Sequence, residues 1–437
     1  MPKLRPDMSS PNQISDDQIT RDREEPTYQT GEEAVFSIQL GPDAERAHVC
    51  LSNDGYRVLL QQPIDAHARI AGSLETPGIL RCRVNWLRDG EPHSMISAAA
   101  FDPYQIEPTT TEPDDFDAFW QQQKQALASV PMDVTFKADA SDATEEALGF
   151  GKVSLANIED TRVYGYFARP STEGPFPAVL TLQNHGGGAW SVPREWATNF
   201  AEQGFLSMAI NTHDVDNGLE QRRYDDLNRG DLDSYTLHGF LDREEYYFKA
   251  VYTRLVRAID YLTNLSEWDG KTLILTGRSQ GGGLTLVGSG LDDRVTGMVC
   301  AVPAMCEHGG HKFGRPAGWP RFVPNDEHNY GNGWEYAETG NGHGPVSRPV
   351  WEVSRYYDAV NFARRISCPA VINLGLIDTC VPPTTVFSAF QVIKGAKTAV
   401  VSPDLGHDAD RNPAYRRDEF IRTMASETGS VVTAPDS

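Results

Sequence analysis

The most specific chemical motif in the chain surrounds a serine. Ser279 lies in the sequence Gly277-Arg278-Ser279-Gln280-Gly281, directly after the apolar run TLILTG and before the helix-like GLTLVGSGL. A serine on a sharp strand-to-helix turn exposes its hydroxyl above the sheet edge, at the positive end of a helix. A bare GxSxG match is common by chance, but this strand–helix context predicts a nucleophile for acyl transfer.

A serine hydroxyl is a weak nucleophile without a base, and in one large class of hydrolytic sites an acid and then a histidine follow it in the chain. Asp378 follows a strand-like run in VINLGLIDTCVPP, and His407 lies in the Gly-containing loop of TAVVSPDLGHDADR. His407 is therefore the predicted base, and Asp378 is predicted to fix its tautomer. Asp404 and Asp408 are rivals of Asp378, but they lie too close in sequence to His407 to orient the ring from a neighbouring loop.

The remaining histidines fit other roles. His185, His213 and His238 precede the serine, which is the wrong order for a base in this kind of site. His308 and His311 have a spacing that could bind a metal, but no third ligand is evident, and no metal site is predicted.

A Gly-rich stretch after an early strand predicts donors for an oxyanion. The backbone N–H of Gln280 is the first predicted donor, because it opens the helix behind the serine. LTLQNHGGGAW supplies the second, for which we choose the N–H of Gly187, with Gly186 and Gly188 as alternatives. A plain Gly-rich turn without this role is the competing interpretation.

The elements that must position these groups alternate between strand and helix. Continuous apolar runs, typical of strands buried on both faces of a parallel sheet, occur at 177–183, 205–211, 272–277, 295–302, 369–375 and 398–402. Helix-like segments lie between them, for example at 245–264 and 384–393. The alternation predicts an α/β fold with a doubly wound, mostly parallel sheet.

The amino-terminal part has a different pattern, of short alternating runs broken by turns such as Asn53-Asp54-Gly55 and Arg88-Asp89-Gly90. This pattern predicts a small β-sandwich of immunoglobulin-like type. It could bind carbohydrate, but packing against the main domain or lining its entrance fits better. The predicted organisation is an arm at 1–27, the sandwich at 28–106, a linker at 107–115, the catalytic domain at 116–425 with an irregular insertion at 303–350 over the pocket, and a tail at 426–437. Asp114 or Asp115 is predicted to cap the helix after the linker.

Composition restricts the partners. The 437 residues carry a formal net charge of −22, which disfavours nucleic acid and anionic membranes and suits neutral or cationic small molecules. The first residues lack the apolar core of a signal peptide, so a cytoplasmic location is expected unless a leader has been removed. The six cysteines indicate buried thiols, with a Cys50–Cys82 disulfide as the alternative. A homo-oligomer is left open.

These motifs together resemble the acetyl xylan esterase and cephalosporin-C deacetylase group, carbohydrate esterase family seven, over residues 114–407. DDFDAFWQQQ is similar to the family's entry helix, GRSQGGGLTL to its serine elbow, YYDAVNFARRISCPAVINLGLIDTCVPP to its aspartate segment, and LGHD to its Gly-His-Glu. The resemblance implies an α/β-hydrolase fold and Ser279, Asp378 and His407 as triad. It also implies removal of acetyl groups from small acylated sugars or oligosaccharides without a cofactor. Gly187 stands at the family's tyrosine position, which would widen the acyl site.

The motifs and the family resemblance leave three candidate functions. The leading prediction is a serine esterase acting on acylated carbohydrates through an acyl-enzyme. The alternatives are a general carboxylesterase, thioesterase or serine peptidase on the same scaffold, and a non-catalytic carbohydrate-binding protein. Flat aromatic faces suit sugar rings, and the candidate stacking side chains are Trp190, Trp319, Tyr330, Trp334, Tyr336 and Trp351, of which Trp190, Trp319 and Trp334 are chosen.

Overall fold

The computed structural model describes residues 17–323 and 348–429 of the chain. The fold separates into two units, Met1–Asp102 and Pro103–Ser437. Within the described ranges, no helix is both long enough and apolar enough to cross a membrane.

The first unit consists of β-strands joined by short connections. They are β1 (Gln18–Arg21), β2 (Thr27–Tyr28), β3 (Ala34–Gln39), β4 (Glu45–Asn53), β5 (Arg57–Pro63), β6 (His67–Gly72), β7 (Gly78–Arg88) and β8 (Glu91–Phe101). They form a three-stranded sheet in the order β1-β3-β6 and a five-stranded sheet in the order β2-β8-β7-β4-β5. The two sheets share one buried core, which includes Phe36 from the first and Leu51 and Val84 from the second. The predicted β-sandwich is therefore present.

In this unit the predicted hairpin turns are present, but the disulfide considered as an alternative is not. Asp54 and Asp89 adopt φ of 47° and 51°, each before a glycine with positive φ, as the predicted hairpin turns require. The alternative of a disulfide is wrong, because Cys50 and Cys82 are free thiols. Cys82 lies opposite Leu51, not Cys50, and neighbouring residues of a strand point to opposite faces of the sheet.

A nine-stranded sheet forms the centre of the second unit. Its strands are β9 (Thr135–Ala138), β10 (Gly151–Ala156), β11 (Arg162–Ala168), β12 (Phe176–Leu182), β13 (Leu206–Ile210), β14 (Trp268–Arg278), β15 (Gly297–Ala301), β16 (Ala370–Gly375) and β17 (Lys397–Ser402). The order across the sheet is β17-β16-β15-β14-β12-β13-β11-β10-β9. β12 to β17 pair in parallel, and β9 to β11 are antiparallel. Strands β12, β13, β15 and β16 are buried along their whole length, as their continuous apolar runs predict.

In the chain, helices precede, separate and follow the parallel strands. They are α1 (Phe116–Ala128), α2 (Ala143–Ala147), α3 (Glu195–Glu202), α4 (Gln221–Arg229), α5 (Phe248–Thr263), α6 (Gln280–Leu291), α7 (Arg348–Tyr357), α8 (Ala359–Ala363), α9 (Pro383–Val392) and α10 (Arg417–Glu427). The strand order reverses at β12, which has β13 on one side and β14 on the other. Loops that follow β12 and β14 therefore meet at the switch point, where sites of open α/β sheets form.

The predicted arm and tail have the wrong limits. Residues 18–21, expected to belong to an arm ending at residue 27, form β1 and pair with β3. Their polar sequence QITR concealed this, because β1 is an edge strand that exposes alternate side chains. At the other end, α10 continues to Glu427, two residues into the predicted tail.

The predicted linker is tied to the second unit. The backbone N–H groups of Thr109 and Thr110 donate to the Glu307 carboxylate, at 2.8 and 3.4 Å, and Thr110 is buried. Asp115 occupies the cap position of α1, but its side chain makes no cap hydrogen bond. It accepts instead from Arg243, at 2.7 Å, because a charged partner competes with the backbone N–H groups.

The predicted insertion is ordered where it is described. Most of residues 303–323 are buried, and Gly310–Phe313 form a short 3₁₀ turn. Asp358, which caps α8, accepts from the backbone N–H groups of Glu307 and His308 at 3.0 and 2.9 Å. The first part of the insertion is therefore irregular, as expected, but packed into the unit, and the end of the insertion overlaps the start of α7 at residues 348–350. Residues 324–347 lie outside the described residues.

Candidate active site

Ser279 occupies a strained turn between β14 and α6. Its φ is 56° and its ψ is −121°, a conformation that disfavours residues other than glycine by about 1–3 kcal/mol. Three backbone hydrogen bonds hold it: its N–H donates to Ala301 at 2.9 Å, and its carbonyl accepts from Gly283 and Ala304 at 2.9 and 3.0 Å. The turn is thus fixed by β15 and by the loop that follows it.

The two glycines of the motif permit close backbone packing. A Cβ on Gly277 would overlap the carbonyl of Gly281, and a Cβ on Gly281 would overlap the carbonyl of Leu182 at the end of β12. Glycine at these positions is therefore required sterically. The contact with Leu182 also places the serine turn against the strand that leads into His185 and the Gly-rich loop.

The structure brings the three predicted triad residues together. His407 Nε2 lies 3.0 Å from Ser279 Oγ, and His407 Nδ1 lies 2.8 Å from Asp378 Oδ2. Asp378 is 1% exposed, and its other oxygen accepts from the backbone N–H groups of Cys380 and Val381 at 2.8 and 2.9 Å. Because an ionised carboxylate only accepts, the histidine proton resides on Nδ1 and leaves Nε2 free to accept the serine proton.

The rival acid Asp408 has a different role. Its carboxylate accepts from the backbone N–H of Gly406 at 3.2 Å and pairs with exposed Arg411 at 3.4 Å. It shapes the loop around His407 rather than orienting the ring.

Two arginines that the sequence reasoning missed hold the acid and base loops. Arg278, inside the serine motif, donates to the backbone carbonyl of His407 and pairs with Asp410 at 3.1 Å. Arg321 donates to the carbonyls of Thr379 and Cys380, at 2.8 and 3.2 Å. The opposite charges of Arg278 and Asp410 were visible in the sequence, but nothing in the sequence paired them.

The backbone at the Gly-rich loop narrows the choice of oxyanion donor. Gly186, Gly187 and Gly188 all have positive φ, of 56°, 87° and 132°. The N–H of Gly188 donates to the carbonyl of His185 at 2.9 Å, which closes a turn and removes Gly188 as an alternative. Gly187 remains the predicted donor beside Gly186. The N–H of Gln280, as the first residue of α6, has no partner within that helix.

The half-buried His185 and three buried side chains connect this loop to the residue after the serine. His185 Nδ1 lies 2.7 Å from the Tyr235 hydroxyl, and that hydroxyl donates to Gln280 Oε1. Gln280 Nε2 donates in turn to Thr212 Oγ1 at 3.3 Å. Burial lowers the pKa of His185 to about 4 and raises the pKa of Tyr235 well above its usual value, so both groups are neutral near pH 7.

A second buried histidine supports the same loop. His213 Nδ1 lies 2.7 Å from the Tyr247 hydroxyl, and the ring also bonds to the backbone of Gly188. Its pKa falls to about 3, chiefly because of burial and then because of the Arg254 charge. His185 and His213 are therefore neutral structural partners of the loop, and chain order rightly excluded them as the base.

Comparison with known proteins identifies the family. Residues 101–426 match the family model "Acetyl xylan esterase (AXE1)". This chain belongs to the acetyl xylan esterase family. It is similar to the acetyl esterase Axe7A of Xylanibacter ruminicola, at 32% identity over 334 residues, which is 76% of this chain and 71% of that protein.

Solved structures show the fold of this family member. An acetyl xylan esterase from Paenibacillus sp. R4 superposes with a TM-score of 0.60 at 23% identity, covering 74% of this chain and 98% of that one. Acetyl Xylan Esterase 1 from Thermoanaerobacterium sp. JW/SL YS485 gives 0.58 at 21%, covering 74% and 97%. The predicted family and α/β-hydrolase fold are confirmed, and the chain is a carboxylic ester hydrolase.

The predicted aromatic residues have different surroundings in this esterase. The Trp319 ring is 9% exposed and lies 5.0 Å from the ring of His185, which directly precedes the Gly-rich loop. Trp190 is partly buried; its indole N–H donates to the Asn184 carbonyl at 3.3 Å and its ring contacts Trp196. It therefore supports the loop from behind Gly186, whose Cβ position its ring occupies.

The other aromatic candidates give no support to a sugar site. Trp351 packs on Phe313 and lies 5.5 Å from the Lys312 ammonium. Trp334, Tyr330 and Tyr336 fall outside the described residues. Among the described candidates, Trp190 and Trp319 both adjoin the Gly186–Gly188 turn, and Trp319 is the one whose ring lies beside His185.

Proposed function

We propose that this esterase removes acetyl groups from acylated carbohydrates through an acyl-enzyme on Ser279. The observation that carries the proposal is the hydrogen-bonded line from Asp378 through His407 to the Ser279 hydroxyl. Membership of the acetyl xylan esterase family and similarity to a protein named as an acetyl esterase support the acyl group and the substrate class.

In the first half of the reaction, Ser279 Oγ attacks the ester carbonyl carbon while His407 Nε2 takes the hydroxyl proton. The negative charge that develops on the carbonyl oxygen is stabilised by the N–H groups of Gln280 and Gly187. The tetrahedral intermediate then breaks its bond to the sugar oxygen, and His407 returns the proton to that oxygen. The products are the free sugar hydroxyl and an acetyl ester of Ser279.

In the second half, water attacks the acetyl-serine. His407 Nε2 accepts a proton from the water, and the carbonyl oxygen again binds the two backbone donors. Collapse of the intermediate releases acetic acid, which loses its proton to solvent, and His407 returns the proton taken from water to Ser279 Oγ. The Asp378 carboxylate stabilises the charged imidazole, and its second oxygen is held in place by two backbone N–H groups.

Replacement of the nucleophile tests the proposal. We expect Ser279→Ala to lower kcat/KM at least about 10³-fold on acetylated xylo-oligosaccharides and on p-nitrophenyl acetate. Ser289→Ala is the control, because Ser289 lies on α6 and outside the site. Undiminished turnover by Ser279→Ala would contradict the mechanism, and a wild-type enzyme that cleaves p-nitrophenyl acetate but no acetylated sugar would contradict the substrate class.

A further inference from the structure

The hydrogen bonds behind the oxyanion loop have a fixed direction. The Gln183 side chain accepts from the backbone N–H of Thr212 at 2.7 Å and donates to the backbone carbonyl of Trp190 at 2.7 Å. A backbone N–H can only donate and a backbone carbonyl can only accept, so these groups also fix the direction of the next hydrogen bond. The Thr212 hydroxyl donates its single proton to the backbone carbonyl of Gln183, at 3.4 Å.

The same directions determine the tautomer of His185. With the Thr212 proton engaged, Gln280 must approach that oxygen with its amide nitrogen, which turns Oε1 toward Tyr235. The single Tyr235 proton is then donated to Gln280. The tyrosine oxygen can only accept from His185, so the His185 proton resides on Nδ1.

His185 is therefore a neutral ring with a lone pair on Nε2. Among the described residues, the ring's one hydrogen bond is that from Nδ1 to Tyr235. The side chain is half-buried, and Nε2, which makes no hydrogen bond to a described residue, is not among the fully buried polar atoms that lack one, so this atom reaches the surface. The Trp319 ring lies beside it, and the Gly186–Gly188 turn follows it directly in the chain.

An acceptor at this place can pair with a donor on the substrate. The ester group has no proton to donate, but a sugar carries hydroxyls on the carbons next to an ester. An aromatic ring beside the acceptor suits the C–H face of the same sugar. We propose that His185 Nε2 accepts a hydrogen bond from a free hydroxyl neighbouring the scissile ester, with Trp319 packed against the sugar ring. This inference rests on the proposed function and assigns His185 the role of a specificity-determining residue.

The test combines a variant with a substrate change. His185→Asn keeps an amide donor at the position of Nδ1, for Tyr235, and removes the acceptor at Nε2. The substrates are methyl 2-O-acetyl-β-xylopyranoside and its 3-deoxy-3-fluoro and 4-deoxy-4-fluoro analogues, in which fluorine cannot donate. In the wild type, we expect fluorine at C3, next to the ester, to lower kcat/KM about tenfold, and fluorine at C4 to lower it less. In His185→Asn fluorine at C3 should lower it less than about twofold.

Two further measurements separate the outcomes. His185→Gln, which places an amide oxygen near the position of Nε2, should recover part of the preference for the hydroxyl. In His185→Asn, kcat/KM should fall more for methyl 2-O-acetyl-β-xylopyranoside than for p-nitrophenyl acetate, whose leaving group carries no further hydroxyl. Equal effects of fluorine in wild type and His185→Asn would overturn the inference, as would an equal loss on p-nitrophenyl acetate. A wild type that cleaves only p-nitrophenyl acetate would instead refute the proposed substrate class.

Discussion

Two groups of loops meet at Ser279, and different kinds of contact hold them. On the triad side, which we define as the loops of Asp378 and His407, arginine side chains donate to backbone carbonyls. Arg278 is about one-third exposed, so its contacts with the His407 loop are partly accessible to solvent. On the oxyanion side, defined as the Gly186–Gly188 turn and Gln280, the contacts are hydrogen bonds among neutral groups.

The difference in burial has a consequence for substitution. Water can replace part of an exposed charged contact, and such contacts contribute about 0–1 kcal/mol. A buried hydroxyl has no such replacement, and its removal leaves its partners unsatisfied, which destabilises by about 1–3 kcal/mol for each group. We therefore expect positioning contacts on the oxyanion side to matter more than those on the triad side.

The largest effect is expected for the acid itself. Asp378→Asn should lower kcat about 10⁴-fold on both p-nitrophenyl acetate and acetylated sugars, because an amide can hold His407 in the wrong tautomer. Asp408→Asn is the matched control and should stay within about twofold, since Asp408 bonds to the loop backbone and Arg411. Equal losses in the two variants would show that the acid has been assigned to the wrong residue.

The next effect tests the oxyanion side. Tyr235→Phe removes the hydroxyl that joins His185 to Gln280, and we expect kcat to fall about 10- to 100-fold on both substrates. Tyr246→Phe is the control, because Tyr246 is also buried but donates to the Thr236 carbonyl, at 3.1 Å. Thermal unfolding of both variants should be measured alongside their kinetics. An equal loss of kcat in Tyr246→Phe would mean that the hydrogen bonds of Tyr235 to His185 and Gln280 have no specific role in catalysis.

A smaller effect is expected for the exposed tether on the triad side. Arg278→Met keeps the apolar stem but removes the donors to the His407 carbonyl and Asp410, and we expect kcat to fall about three- to fivefold. Arg411→Met, at an exposed ion pair in the same loop, should leave kcat unchanged. A loss of kcat in Arg278→Met larger than that in Tyr235→Phe would show that contacts on the triad side matter more than those on the oxyanion side.

The smallest effect concerns stability rather than turnover. Burial, and then the charge of Asp358, raise the pKa of Glu307 from 4.5 to about 7. The folded state therefore binds this proton more tightly than the unfolded state, and the associated stability is present below pH 4.5 and lost as pH rises to about 7.

Glu307→Gln should remove this dependence. Relative to the wild type, its midpoint of thermal unfolding should rise by a few degrees between pH 4.5 and 7.5. Glu146→Gln, at an exposed position, should show no such trend. A constant difference between Glu307→Gln and the wild type across this range would mean that Glu307 has an ordinary pKa in the folded state.

The features that could be predicted from the sequence are those that depend on local pattern. The runs before and after Ser279 revealed the strand and the helix, and the order of Asp378 and His407 followed from the strands they terminate. β1 was missed because its polar residues belong to an edge strand. The contacts of Arg278 with His407 and of Tyr235 with Gln280 join residues 129 and 45 positions apart, and no pattern in either segment specifies a partner.

The most direct test of the central claim is the labelling of the nucleophile. A fluorophosphonate probe should modify one residue, Ser279, as located by peptide mass spectrometry. The labelling rate should fall at least about 100-fold in His407→Ala, because the base that activates the hydroxyl is gone. Labelling of another serine, or an unchanged rate in His407→Ala, would contradict the account.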